Sequence, residues 1–225
     1  MKLERGEING IKFWHRAGFS DLKTFEEVIG RKTYLKRGMR ILPGERWMDC
    51  GGNVGAFALL ACHLGAEVVV YEPDPYNCEM IEKNLKLNNF RAPVKQLALV
   101  PNHRKTATLF IGNNNNVWRN SIVKQWNDKG IKVPCAKFDN ETKDFQGCKM
   151  DIEGAEMPIL ETTKSLFKKF VYEWKVLDQQ KKIYRVEAAW NSIHYHSRAY
   201  DRWQTEWFPA CTNVFCFEKT PDENC

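Results

Sequence analysis

One glycine-rich turn constrains this chain more than any other feature. Asp49-Cys50-Gly51-Gly52-Asn53-Val54-Gly55 joins a short strand-like run, Arg46–Cys50, to a nearly all-apolar stretch, Gly55–Leu64, that fits a buried helix. Glycines there allow a tight turn and a close approach of backbone to ligand. The unpaired N–H groups that open the following helix favour a negative group. A Val-rich strand, Glu67–Tyr71, comes next, and Glu72 stands at its end, 21 residues after Gly51. In a doubly wound fold an acid at that place accepts hydrogen bonds from ribose hydroxyls. Turn and acid together predict a nucleoside-containing ligand.

The details of the turn narrow the choice. A dinucleotide fingerprint is G-x-G-x-x-G, its second glycine admitting a pyrophosphate. Here Asn53 takes that place and Gly55 follows at the wrong spacing. Asp49, just before the loop, would repel a pyrophosphate. No Gly-Lys-Ser/Thr follows, which excludes a P-loop. A ligand with one nucleoside and a cationic amino-acid end, such as S-adenosylmethionine, suits these residues better.

The rest of the chain repeats the strand-helix alternation. Pro75–Leu87 reads as an amphipathic helix with Tyr76, Met80, Leu85 and Leu87 as contacts, and Val94–Val100 as a strand. Thr106–Ile111 and Ile131–Phe138 are extended segments around a polar loop. Cys148–Ile152 is strand-like, Ala155–Phe167 helical, Phe170–Trp174 strand-like, and Thr212–Glu218 a final strand. Such alternation predicts an α/β fold, a parallel sheet covered by helices on both faces. Upstream, Leu22–Tyr34 is amphipathic. No linker divides the 225 residues, so we expect a single domain over 1–225, with a cap or lid over 1–45 and the core over 46–225.

Composition adds exclusions. The net charge of +6 is spread along the chain, interleaved with acids except around Arg31–Arg40 and Lys164–Lys169. It does not demand nucleic acid. No apolar run approaches the ~20 residues of a membrane span, and the charged start lacks a signal-peptide core. The eight cysteines show no CxxC pair and no histidine at metal-ligand spacing. They read as reduced thiols in a cytoplasmic protein.

The run Trp47 to Gly55, with Tyr71-Glu72-Pro73, resembles the D-x-G-x-N-x-G and E-P motifs of class I S-adenosylmethionine-dependent methyltransferases. Lys149-Met150-Asp151-Ile152-Glu153-Gly154-Ala155-Glu156 resembles the K-x-D-x-E-G-A-E run of the FkbM family, as does Arg16-Ala17-Gly18-Phe19-Ser20-Asp21 with Phe25 and Tyr34. The resemblance spans about Phe13 to Glu218. It implies a Rossmann-like fold: a mostly parallel seven-stranded sheet, an antiparallel C-terminal strand and an N-terminal helical cap. It also implies S-adenosylmethionine as methyl donor and a hydroxyl oxygen as acceptor, often on a sugar. A deoxyhexose such as rhamnose or fucose in a glycan is the expectation at family level, with a natural-product hydroxyl as the alternative. The third reading, a nucleic-acid-binding module on the same scaffold, lacks a concentrated basic stripe.

The resemblance also assigns residues. Asp49, Gly51, Asn53 and Gly55 would lie at the methionine end of the cofactor, and Asp151 would also contact it. Glu72 would hold the ribose hydroxyls, with Pro73, Ala98 and Leu99 toward the adenine. Asp139 reads as structural.

An unactivated hydroxyl needs positioning and a nearby base. Open α/β sheets bind ligands at the carboxyl ends of their strands, which brings Asp151, Glu153 and Glu173 forward as candidate catalytic acids. Clustered carboxylates could also hold Mg2+ or Ca2+, although no pattern in the sequence fixes a metal site. His194, in His194-Tyr195-His196, is a further candidate base. Against these, Lys149–Asp151 also reads as an internal ion pair; Arg16 reads equally as a residue closing over cofactor or substrate and as a surface ion pair. Trp14, Trp118, Trp126, Trp190, Trp203 and Trp207, together with Asn113–Asn120, would offer stacking faces and amides to a sugar acceptor.

Overall fold

The computed structural model describes residues 1–112, 120–123, 125, 129–175, 195–199 and 211–218. The chain opens with a hairpin. β1 (Leu3–Ile8) and β2 (Ile11–Arg16) pair antiparallel across Asn9-Gly10, both at positive φ. Asn-Gly is the turn whose twist matches that of the flanking strands. A short helix, α1 (Asp21–Phe25), then runs into a π-helical turn at Glu26–Gly30. The expected N-terminal helical cap is therefore part sheet. The signal was present: Ile11 and Phe13 point inward and Lys12 outward, a period of two rather than 3.6.

The Gly-rich turn leaves β3 (Arg46–Cys50) and enters α2 (Ala56–His63). β4 (Glu67–Tyr71) and α3 (Pro75–Leu87) have the bounds their patterns predict. In α3, Asp74 caps the start by accepting from the Tyr76 N–H, and Pro75 fills the first position. Its buried face is Met80, Ile81 and Leu85 with Asn77 and Asn84, while Tyr76, expected inside, is exposed.

The expected strand Val94–Val100 splits. β5 (Val94–Lys95) pairs with β4, whereas β6 (Ala98–Val100) leaves for a second sheet. The Leu97 N–H donates to the Lys95 carbonyl two residues back, a tight turn that separates the two strands. β6 pairs parallel with β8 (Gly130–Lys137), and β7 (Thr106–Phe110) pairs antiparallel with β8.

β9 (Gly147–Met150) leads through a loop to α4 (Glu156–Leu160), shorter than the expected Ala155–Phe167. The Thr162 hydroxyl donates to the carbonyls of Pro158 and Ile159, competing with helix continuation. β10 (Lys169–Lys175), β11 (Tyr195–Ala199) and β12 (Cys211–Glu218) complete the main sheet.

That sheet has seven strands in the order β11-β12-β10-β9-β3-β4-β5. β10, β9, β3, β4 and β5 run parallel; β12 is antiparallel to β10, and β11 to β12. Alternate residues bury opposite faces. Trp47, Val68, Val70, Val171 and Phe215 join α2, α3 and the N-terminal segment in one core. Met48, Val69, Tyr71, Met150, Phe170 and Tyr172 join α4 and Phe167 in the other. Strand order reverses between β3 and β9: the chain steps outward to β4 and β5 on one side, then returns to fill the other. Ligand crevices of α/β sheets open at such a point.

Candidate functional site

The carboxyl ends of β3 and β9 meet closely at the reversal. The Asp151 N–H donates to the Cys50 carbonyl at 3.0 Å, and the Gly51 N–H to the Tyr71 carbonyl at 2.9 Å. Gly51 has φ +83, and a Cβ there would lie 1.8 Å from the Asp151 carbonyl oxygen. Gly52 is also closely bounded, by the side chains of Val70 and Ile81. These two glycines let the strand ends approach and leave a cavity of about 210 Å3 above them.

The turn is held from below. Asp49 and Lys149, both buried, lie across from each other on β3 and β9, 3.1 Å apart. The Lys149 ammonium also donates to the Gly51 carbonyl at 2.7 Å. Burial alone would lower the Lys149 pKa, but the Asp49 and Asp151 carboxylates hold it above its usual value. Burial raises the pKa of Asp49, against the pull of Lys149. The ion pair of Lys149 is thus with Asp49, not with Asp151. Asp49 and Gly55 support the loop without lining the cavity: Gly55 begins α2 at φ +89, facing Ile81.

One half of the cavity fits a nucleoside. Glu72 is 4% exposed. Its carboxylate accepts from the Asn53 N–H at 2.7 Å and the Asp74 N–H at 2.9 Å. Burial nevertheless pushes its pKa up to about 7. Pro73, Ala98, Leu99, Leu109 and Ile122 supply an apolar wall beside it. The Asn53 side-chain oxygen is buried and finds no donor among the described residues, as befits an acceptor kept for a ligand.

The other half is acidic. Asp151, Glu153 and Glu173 line it together, with one carboxylate oxygen from each within 4.8 Å of the others. Glu153 adopts φ +56, which costs a non-glycine residue energy and is found at functional sites. The loop is fixed by Glu156, whose carboxylate accepts from the N–H groups of Ile152 and Gly154, each at 2.7 Å. Burial raises the Glu156 pKa to about 7, with Asp151 adding to it. The spacing K-x-D-x-E-G-A-E has a mechanical basis: Lys149 pins the glycine turn, Asp151 and Glu153 face the cavity, and Glu156 folds back to hold both.

Other wall residues come from outside the strand ends. Tyr34, from the N-terminal segment, donates to Asp151 Oδ2 at 2.6 Å. Burial, then the Asp151 charge, holds its pKa well above the usual range, so it stays a donor. Thr24, Glu27 and Thr33 line the cavity from the same segment. Asn120 bridges to Asp74 Oδ2 at 2.6 Å, and the Ser121 hydroxyl donates to the Glu153 carbonyl at 2.7 Å. Asn213 of β12 closes the far side.

Other candidates lie elsewhere. Arg16 is buried, donating to both oxygens of Asp21 and to Asn77 at 3.0 Å, so it is neither a surface pair nor a lid. Trp14 lies on β2, beneath the Arg5 guanidinium. Asp139 accepts from the Thr163 and Ser165 hydroxyls; burial would raise its pKa, and these donors with Lys137 hold it below its ordinary value. His194, Trp118, Trp126, Trp190, Trp203 and Trp207 lie outside the described residues. Cys50, Cys62, Cys78, Cys135, Cys148 and Cys216 are free thiols. Among the described residues, no helix is long and apolar enough to cross a membrane.

Residues 49–202, which carry both the glycine turn and the acidic loop, match the methyltransferase FkbM domain. The chain belongs to the FkbM methyltransferase family. Its fold is that of class I methyltransferases. No curated protein sequence matches the chain. Solved structures share the fold at low identity. TYW2 from M. jannaschii, in complex with AdoMet, is 12% identical with a TM-score of 0.54, over 97% of this chain and 87% of its own. Trm5b from Pyrococcus abyssi is 12% identical with a TM-score of 0.55, over 97% of this chain and 56% of its own. The Pyrococcus abyssi tRNA (uracil-54, C5)-methyltransferase, in complex with S-adenosyl-L-homocysteine, is 14% identical with a TM-score of 0.50, over 96% and 44%. The FkbM chain thus spans little over half of Trm5b and less than half of the tRNA enzyme.

Proposed function

We propose that this FkbM methyltransferase is an O-methyltransferase acting on a sugar hydroxyl, with a deoxyhexose such as rhamnose or fucose in a glycan as acceptor. One observation carries the reading. The acceptor half of the cavity presents Asp151, Glu153, Glu173 and Asn213, and Lys149, the basic side chain in the described lining, is tied to Asp49 and Gly51. Such a wall accepts hydrogen bonds from a neutral, hydroxyl-rich ring and repels a phosphorylated one.

On this reading the cavity binds the cofactor through Glu72 at the ribose hydroxyls and Pro73, Ala98 and Leu99 at the adenine. Gly51 and Asn53 lie at the methionine end. Bound there, S-adenosylmethionine supplies an electrophilic methyl group. Asp151, steadied by Tyr34 through one oxygen, keeps the other for the acceptor hydroxyl and takes its proton. Glu153 and Glu173 orient the ring. The whole chain acts as one domain, with the hairpin and α1 segment as a cap.

An RNA acceptor is the second reading. A structural neighbour is named as a tRNA methyltransferase, and the exposed Arg31, Lys32, Arg37 and Arg40 flank the cavity residues Thr33 and Tyr34. The test is transfer from methyl-labelled S-adenosylmethionine to rhamnose- and fucose-bearing glycans and to tRNA, with products read by mass spectrometry. Label on a sugar oxygen, lost in Asp151→Asn, is the expected result. Label on RNA alone would replace the reading with the second one.

A further inference from the structure

The acid on the nucleoside side of the cavity is not oriented by its own loop alone. Glu72 Oε2 accepts from the Asn53 N–H, and Oε1 accepts from the Asp74 N–H and, at 3.5 Å, from the Asn77 side-chain amide. Each carboxylate oxygen offers two lone pairs, so Oε1 is filled and Oε2 keeps one acceptor position. Asn77 is buried in the first turn of α3 and lines the cavity.

Asn77 has a second partner, outside the main sheet. Arg16 ends β2 and Asp21 begins α1, and both are buried. Arg16 Nε donates to Asp21 Oδ2 at 2.7 Å. Its Nη2 donates both to Asp21 Oδ1 at 2.8 Å and to Asn77 Oδ1 at 3.0 Å. A guanidinium has donors and no acceptor, so the Asn77 oxygen faces it and the amide nitrogen turns toward Glu72. The reverse orientation would set the amide hydrogens against the guanidinium and the oxygen against a carboxylate. Terminal amide torsions are broad, so an Asn77 held only by Glu72 would swing; Arg16 clamps its other end. Arg16 lies upstream of the matched residues 49–202 and outside the cavity lining.

We propose that Arg16 is a positioning residue for the cofactor site, clamping Asn77 so that Glu72 presents Oε2 to the ribose hydroxyls. The inference rests on the reading of Glu72 as the ribose acceptor and deepens it: the N-terminal hairpin completes the nucleoside half without touching the ligand. The charges around Glu72 agree. Burial raises its pKa and the Asp74 carboxylate adds to this, while the Asp74 and Asn53 N–H groups and the Asn77 amide favour the ionised form. Burial also raises Asp74, against the Tyr76 N–H and the Arg16 charge.

The test is calorimetric titration of the full chain with S-adenosylhomocysteine and with its analogue lacking both ribose hydroxyls. Arg16→Lys keeps a positive charge beside Asp21 but loses the fork that reaches Asn77. The expected result is S-adenosylhomocysteine weakened by about 5-fold or more, with affinity for the analogue within about 2-fold of the parent. In a Glu72→Gln background the same substitution changes S-adenosylhomocysteine affinity by less than about 2-fold, since the carboxylate it acts through is gone. Asn77→Ala leaves the Arg16–Asp21 pair in place and gives the same pattern; it carries the test if circular dichroism shows Arg16→Lys unfolded. A folded Arg16→Lys chain that binds S-adenosylhomocysteine like the parent overturns the proposal. So does an equal loss for both ligands, or a loss that persists beside Glu72→Gln, as a merely structural arginine would give. A parent that binds no S-adenosylhomocysteine, or binds both ligands equally, overturns the ribose reading itself and the proposal with it.

Discussion

Gly51 carries the tightest constraint in the molecule. Its φ of +83 and the 1.8 Å gap to the Asp151 carbonyl leave no room for a Cβ. Gly51→Ala should destabilise by more than about 3 kcal/mol, since strain and a backbone clash add; urea unfolding measures it. Glu72 gives a pH signature. Its folded pKa is about 7 against an ordinary 4.5. Between those values the folded state holds more protons, so the stabilising contribution is complete below pH ~4.5 and is lost as pH rises through ~7. The steepest slope is about 1.4 kcal/mol per pH unit for each such group, and Glu156 adds one of the same sign. Urea midpoints should therefore fall between pH ~5 and pH ~8, less so in Glu72→Gln. If the ribose hydroxyls donate to the ionised carboxylate, cofactor binding releases a proton near neutral pH, visible as a buffer-dependent heat. Tyr34→Phe should cost about 1–2 kcal/mol through the lost bond to Asp151 and slow methyl transfer while leaving S-adenosylhomocysteine affinity unchanged. At this scale Gly51, Asn53, Glu72 and Asp151 were legible because their residue types are rare solutions to local problems. Tyr34 stood out only within the N-terminal resemblance; its bond to Asp151, 117 positions away, has no local pattern.

Among the elements, β4 and α3 were fully legible, since alternation or cap fixes each end. The N-terminal hairpin was missed, and its docking explains why. Asn84 on α3 and Asn88 at its C-terminal end, four residues apart, hydrogen-bond the free edge of β2: Asn84 accepts from the Trp14 N–H at 2.6 Å, and Asn88 from the Lys12 N–H at 2.9 Å. Both also donate back to the carbonyls of the same residues. Residues 12 and 14 expose their backbone groups on one edge, and i, i+4 side chains on a helix meet that spacing. Asn84 additionally donates to the Val54 carbonyl in the glycine turn at 3.0 Å. Asn84→Ala should destabilise by about 2–4 kcal/mol, because it strands buried backbone groups. It should also loosen the turn, read as faster hydrogen exchange at Val54 and Gly55. A polar residue on a helix reads as solvent-facing, so neither asparagine announced this in the sequence. The split of Val94–Val100 was hidden likewise, its apolar run fitting one strand or two.

For the whole molecule, the strand order places the site. Reversal between β3 and β9 brings the glycine turn and the acidic loop, about a hundred residues apart, to one cavity. The nucleoside half was legible as a motif. The acceptor half was legible only as a set of acids, because its shape depends on Tyr34, Asn120 and Asn213 from three distant segments. The +6 charge bears on the choice of acceptor. A sugar acceptor predicts activity that changes little with salt, whereas an RNA acceptor predicts a steep fall between about 50 mM and 200 mM salt. The central claim is that this cavity seats the S-adenosyl cofactor with Glu72 on its ribose. Calorimetric titration of S-adenosylhomocysteine into the full chain tests it most directly. The account predicts one site per chain, weakened about 10-fold or more in Glu72→Ala. Absence of binding, or equal binding by the folded variant, would contradict it.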